Sequence, residues 1–152
     1  MEKDEKTIKV LAEELLDQIL IKGEVEVVYD KENNLYAVQI KTEDSGFLIG
    51  YHGETLAAFQ LILSLMVYKK LEAWVKLTVN VGDYREKRED QLTRLALSIA
   101  QKVSFTKEAQ VVPHLSSFER RIIHLALTDR PDVCTESEGE GEERILVVKP
   151  KI

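Results

Sequence analysis

The spacing of apolar residues changes several times along the first half of the chain, and each change marks a predicted element. Within Glu5–Ile21 apolar residues recur every three or four positions, which predicts an amphipathic helix. Every second residue is apolar in Val25–Tyr29 and again in Tyr36–Ile40, on either side of the polar turn Asp30–Asn34, which predicts a hairpin. The same alternation in Val75–Val81 predicts a further half-buried strand.

A nearly continuous apolar segment lies between these strands. Phe47–Ile49 is long enough for about one helical turn. After a short glycine-containing loop, Glu54 to about Lys69 has helical spacing and is apolar around most of its circumference. We therefore expect this second helix to be buried on several sides.

The second half of the chain repeats the alternation of helical and strand patterns. Asp83 with Glu86 has capping-box spacing and opens a helix that runs to about Val103, and Ser116 with Glu119 has the same spacing. Four more elements are predicted, in the order strand, helix, strand and strand: Glu108–Val112, Ser117–Leu127, Val133–Ser137 and Arg144–Lys149.

Charge and composition restrict the function classes. The formal net charge of −6 argues against a general polyanion binder, so any nucleic-acid surface must be a local basic patch. The single cysteine, Cys134, allows no internal disulfide, which fits a reducing compartment. There is no signal-peptide pattern, and the apolar run Leu61–Tyr68 is too short to span a bilayer. We expect a cytoplasmic protein with no membrane span.

Two glycines, Gly50 and Gly53, enclose Tyr51 and His52 directly before the apolar helix. Glycine lets the backbone approach a ligand, and a helix that begins after the loop directs free N–H groups and its positive dipole end toward it. This arrangement suits a nucleic-acid phosphate. The alternative is that the glycines only form a tight corner between two helices.

A basic face is predicted on the helix Ser117–Leu127. Arg120 and His124 are one turn apart, and Arg121 is three residues before His124. Two guanidinium groups and an imidazole on one side of a helix suit a phosphate or the end of a strand. The alternative is a solvated basic face on which Glu119 pairs with an arginine.

Other chemistries find no support in the sequence. The histidines and Cys134 lack the spacing of zinc sites, and Gly50–Gly53 lacks the Lys-Ser/Thr of a phosphate-hydrolysing P-loop. Cys134 falls in a predicted strand and reads as a small buried hydrophobe. We predict no metal, no cofactor, no catalytic residue and no enzyme activity.

The order of these elements resembles a known family. Helix, strand, strand, short helix, the Leu48–Gly53 loop, helix and strand resemble a bacterial type II KH domain, αββααβ. The segment Phe118–Leu127 resembles the R-three-H domain, named for an Arg and a His separated by three residues. A KH domain followed by an R-three-H domain resembles the Jag family of bacterial RNA-binding proteins linked to cell elongation. The resemblance implies an α+β fold class, with a type II KH domain predicted at residues 1–82 and a small R-three-H domain at residues 83–152.

The resemblance implies a non-catalytic protein that binds single-stranded RNA or single-stranded DNA, with a small single-KH-domain protein as a partner. The two loop residues, Tyr51 and His52, depart from the usual basic pair of the family. A protein-interaction module whose KH surface has lost RNA binding is the alternative that this departure and the net charge favour. The candidate nucleic-acid-binding residues are Ile49, Gly50, Tyr51, His52, Gly53, Arg120, Arg121 and His124.

Overall fold

A computed structural model describes all 152 residues, which divide into two compact units, Met1–Arg85 and Glu86–Ile152. Each unit contains its own three-stranded sheet and its own buried core. This division falls three residues after the domain boundary predicted between residues 82 and 83. The domain boundary itself stays a prediction. No helix has the length and hydrophobicity that a membrane span requires.

The first unit has the predicted element order αββααβ. A short 3-10 turn, Tyr51–Gly53, separates its second and third helices. The elements are α1 Glu2–Gln18, β1 Glu24–Asp30, β2 Leu35–Lys41, α2 Ser45–Ile49, α3 Glu54–Leu71 and β3 Leu77–Val81.

The sheet of the first unit has β2 at its centre, antiparallel to β1 and parallel to β3. Helices α1 and α3 pack on each other and on this sheet. Alternate residues of β2, Tyr36, Val38 and Ile40, are buried beneath them, as the period-two pattern of a half-covered sheet requires.

The predicted ends of two elements in this unit, a helix and a strand, were wrong. Helix α1 begins and ends three residues earlier than predicted. It ends at Gln18 because Leu20 adopts a left-handed conformation (φ +62°), which directs Ile21 into the core. Strand β3 begins at Leu77, two residues after Val75, because pairing with β2 begins opposite Tyr36. Periodicity located both elements but not their ends.

The prediction that α3 is buried on several sides was also wrong. One face, Leu56, Phe59, Leu63 and Val67, is buried, because α1 and a single three-stranded sheet cover only that face. The opposite side carries an exposed apolar stripe, in which Leu61 is 61% exposed and Ile62 is 47% exposed. We call this surface the α3 stripe; it consists of Ala58, Leu61, Ile62 and Leu65.

The second unit packs two helices against an antiparallel sheet of order β4-β6-β5. Its fully buried residues include Leu92 and Ala96 from the first helix, Ile123 from the second, and Val148 from the central strand. Its elements are α4 Tyr84–Thr106, β4 Gln110–Val112, α5 Ser117–Leu127, β5 Val133–Glu138 and β6 Ile145–Pro150, and the first two residues of α4 belong to the first unit.

Cys134 is exposed, so the prediction of a buried cysteine was wrong. Its neighbour Val133 is fully buried, and successive side chains of β5 point to opposite faces of the sheet. Cys134 therefore faces outward, opposite Lys149 of β6.

Candidate nucleic-acid interface

The GxxG loop, residues 50–53, joins α2 to α3 by a turn that only glycine fits well. Gly50 (φ +71°) accepts no Cβ, because that atom would overlap the Oγ1 of Thr55. Gly53 (φ +82°) packs against Tyr84, whose hydroxyl oxygen would lie 2.8 Å from an added Cβ. Positive φ and close packing explain both glycines without reference to a ligand.

The backbone of the GxxG loop leads directly into the N-terminus of α3. Gly53 is the N-cap residue, and no side chain caps the helix. The first N–H groups of a helix have no partner within the helix and lie at its positive dipole end. The Glu54 N–H donates to the Tyr51 carbonyl, and the N–H groups of the residues that follow are positioned for an anionic backbone that runs along the loop.

The loop side chains provide aromatic rings in place of cations. The rings of Tyr51 and His52 are stacked, with centroids 4.0 Å apart and planes 15° apart, and both residues are exposed. His52 is held at a positive φ of +51°. Ile49 is half-buried against the core, and Phe47, which was not predicted, is 71% exposed on α2. There is no Lys or Arg from residue 42 to residue 68. The side chains of the loop therefore suit stacking with nucleobases better than they suit ion pairing with phosphates.

Helix α5 begins with the predicted capping box. The Ser116 hydroxyl accepts from the Glu119 N–H at 3.1 Å, and the Ser116 N–H donates to Glu119 Oε2 at 3.0 Å. The other Glu119 oxygen accepts from Arg88 Nε of α4 at 2.8 Å. Glu119 does pair with an arginine, but with Arg88 and not with one on the basic face. Glu119 therefore does not neutralise the charges of Arg120 and Arg121.

All three predicted residues of the basic face line one pocket of about 310 Å³, which we call the α5 pocket. Its opposite wall is formed by the β5–β6 hairpin. No carboxylate is among the lining residues, which are Ser117, Arg120, Arg121, His124, Thr135, Ser137, Arg144 and Leu146.

The cationic side chains of the α5 pocket differ in how firmly they are held. Arg120 donates to the Leu115 carbonyl at 2.7 Å and to Ser117 Oγ at 3.0 Å, so its guanidinium is positioned in advance. Arg121 is exposed, and its side chain makes no hydrogen bond or ion pair within the protein. The Nδ1 atom of His124 is hydrogen-bonded to Thr135 Oγ1, which leaves Nε2 to face a ligand.

The hairpin residues of the pocket were not predicted. Thr135 and Ser137 lie on the same face of β5 as buried Val133, so the period-two pattern of β5 could have indicated them. Arg144 directly precedes β6, and only the folded hairpin brings it beside α5. Three guanidinium groups, an imidazole and three hydroxyls around a pocket without carboxylates form an arrangement suited to phosphate.

Comparison with known proteins gives matches over most of the chain. The family model described as the KhpA/KhpB KH domain matches residues 5–80, and the R-three-H domain model matches residues 90–150. The RNA-binding protein KhpB of Clostridium symbiosum is 34% identical over 147 residues, which is 97% of this chain and 66% of that protein. Proteins of the same name from Bacillus subtilis (32% over 133 residues, 86% of this chain) and Lactiplantibacillus plantarum (35% over 119 residues, 78% of this chain) also match. The chain accounts for 64% and 37% of their lengths, respectively.

Element order, the GxxG loop and both family matches define a protein in which a KH domain is followed by an R-three-H domain. The predicted fold class is therefore confirmed. The chain belongs to the Jag family, whose matched members are named KhpB.

Proposed function

We propose that this chain is a non-catalytic protein that binds single-stranded RNA. The observation that carries the proposal is the α5 pocket, where three arginines and a histidine surround a space without carboxylates. The relatives named RNA-binding protein KhpB support the same ligand. The exposed free thiol of Cys134 fits a reducing compartment, so the proposal places this binding in the cytoplasm.

The two candidate surfaces contribute different interactions in this proposal. The α5 pocket binds backbone phosphate through Arg120, Arg121 and His124, with Arg144 added from the hairpin. The GxxG loop lies along about four nucleotides, as KH loops do, with Ile49 as an apolar floor and Tyr51 and His52 as stacking surfaces. Phosphate contacts supply salt-dependent affinity, whereas stacking on the loop adds affinity that salt affects less.

Fluorescence anisotropy with labelled oligonucleotides tests the proposal. An unstructured RNA, its duplex with the complement, and the matching single-stranded DNA are titrated with the full chain. We expect the single-stranded RNA to bind more tightly than the duplex, because bases in a duplex cannot stack on protein rings. Gel analysis of the RNA after binding should show it intact, and either cleavage or an absence of binding at low salt would contradict the proposal.

The α3 stripe supports a second proposal, that a small single-KH-domain protein binds there through a similar helix. The spacing of the stripe is symmetric, because Ala58 and Leu65 are equally far along the chain from its centre, between Leu61 and Ile62. Glu54 and Lys69 lie on the same face, also equally far from that centre, and carry opposite charges. An antiparallel contact with a similar helix would bury the stripe and place opposite charges together at both ends.

Sedimentation velocity tests this second proposal. The full chain is run alone and with a purified single-KH-domain protein, as wild type and as Ile62→Lys. Val10→Lys is the matched control, since Val10 is 51% exposed on α1 of the same unit. We expect a mixed complex that Ile62→Lys removes and Val10→Lys keeps. No mixed complex, or self-association alone, would contradict this partner.

A further inference from the structure

Two large apolar side chains of α5 lie outside the core of the second unit. Phe118 is 61% exposed and Leu125 is 62% exposed, and neither belongs to the buried cluster or packs against it. Ile122 lies between them in sequence and does pack against that cluster. Seven residues are about two helical turns, so Phe118 and Leu125 lie on one side of α5. We call this pair the α5 ridge.

The α5 ridge borders the α5 pocket. Arg121 lines the pocket, and it is three residues after Phe118 and four before Leu125. Side chains at these separations are neighbours on a helix surface. Ser117, the residue before Phe118, also lines the pocket. The apolar ridge and the cationic pocket are therefore parts of one continuous surface.

We propose that the α5 ridge is a nucleobase-binding site, on which a base stacks against Phe118 when the phosphate of the same strand occupies the α5 pocket. This inference rests on the proposed RNA binding. A phosphate held by the pocket leaves its nucleoside outside, where Phe118 presents an exposed ring with no aromatic partner in the protein. Every base has a π-face, so such a site accepts bases with little sequence preference.

A protein partner would use the same surface differently. A protein segment on the ridge would need an apolar side chain opposite Phe118, and it would also have to satisfy the neighbouring arginines of the pocket. A nucleotide supplies both an aromatic base and an anionic phosphate, and its sugar holds the two close enough to contact neighbouring sites. The adjacent charge of Arg121 therefore favours the nucleotide.

Affinity measurements on two kinds of strand test the proposal. Unstructured RNA and a strand of the same length with abasic sites are titrated against wild type, Phe118→Leu and Phe118→Trp. Loss of the ring in Phe118→Leu should weaken RNA binding by about 10-fold without changing its salt dependence, because stacking contributes per base whereas phosphate contacts set the salt slope. The abasic strand should bind wild type and Phe118→Leu with equal affinity. Phe118→Trp should keep full affinity for RNA. Phe105→Leu is the control, since Phe105 is 90% exposed and does not line the pocket.

The possible results separate this inference from the proposed function. If wild type binds RNA with the expected salt dependence and Phe118→Leu binds equally well, the ridge proposal is overturned and the function stands. An equal loss of abasic-strand binding in Phe118→Leu would also overturn it, since no base would be involved. If wild type binds no single-stranded RNA, both proposals fail. Circular dichroism confirms that each variant is folded, which the exposure of Phe118 leads us to expect.

Discussion

The guanidinium of Arg88 binds the carboxylate of Glu119 at 2.8 Å, and the second oxygen of that carboxylate caps α5. Glu119 is 7% exposed, so this acid is removed from solvent although it directly precedes Arg120. The negative charge of Glu119 is balanced by Arg88 of α4 and not by an arginine of the basic face. The α5 pocket is cationic partly because Arg88, 31 residues earlier in the chain, neutralises the acid beside it.

Arg88→Met should destabilise the second unit by about 3 kcal/mol, because it leaves a buried carboxylate without its cation. Chemical denaturation followed by circular dichroism measures the loss. The only tryptophan, Trp74, lies in the first unit, so its fluorescence should report an unchanged transition there.

Adding Glu119→Gln to Arg88→Met provides the control. Glutamine keeps the capping geometry and removes the unpaired charge, so the double variant should recover much of the lost stability. Strictly additive losses in the double-mutant cycle would show that the ion pair contributes nothing beyond its separate members.

Gly53→Asp should weaken RNA binding at the GxxG loop and cost about 1–3 kcal/mol of stability. The cost arises because residue 53 has a positive φ and its Cβ would meet Tyr84. Binding falls because a carboxylate repels phosphate where the backbone must approach it.

Gly46→Asp is the matched control for the loop. It adds the same charge on α2, at a position where a Cβ meets nothing within 4 Å. If the loop backbone contacts RNA, Gly53→Asp should lose far more affinity than Gly46→Asp when both are titrated with one labelled oligonucleotide. Equal affinities for the two folded variants would remove the loop from the function.

The Arg130–Asp132 pair gives the second unit an acid-sensitive contribution to stability. Arg130 donates two hydrogen bonds to the Asp132 carboxylate, which holds its pKa well below the usual 3.8. Because the pKa is lowered in the folded state, this stability is present above about pH 4 and is lost as pH falls below it. Urea unfolding at pH 5 and pH 3 should therefore show a larger loss for wild type than for Asp132→Asn. The same loss in both proteins would contradict this assignment.

Local signals in the sequence predicted most elements of the fold. Helix α5 has the predicted ends and the predicted capping box, because Ser116 and Glu119 specify its start within four residues. Both hairpins pair as expected, since strict alternation sets which side chains face the core. Such signals depend only on residues that are close in the chain, so a single sequence is enough to identify them.

Contacts between elements that are distant in the chain could not be predicted in the same way. The composition of α3 shows that it is apolar, but not that the available sheet and α1 cover only one of its faces. The partner of Glu119 is 31 residues away, and Arg144 reaches the α5 pocket only through hairpin folding. These contacts are set by packing of distant elements, and periodicity does not contain that information.

RNA length should affect affinity if both units contact one strand. A KH loop covers about four nucleotides, so short RNAs fill only one site. A longer strand makes the second contact intramolecular, which can raise affinity by about 10². Titrations with unstructured RNAs from four nucleotides upward should show this rise in wild type, and Arg120→Ala with Arg121→Ala should remove it. A profile that those substitutions leave unchanged would mean that the units serve separate ligands.

The salt dependence of single-stranded RNA binding tests the central claim, that the α5 pocket binds backbone phosphate. Arg121→Ala is the most direct variant, because the Arg121 side chain lines the pocket and makes no hydrogen bond or ion pair within the protein. Arg94→Ala removes the same charge from an exposed position on α4 that does not line the pocket. The slope of log affinity against log salt should become shallower by about 0.7 in Arg121→Ala and stay unchanged in Arg94→Ala. Identical slopes in wild type and Arg121→Ala would contradict the claim.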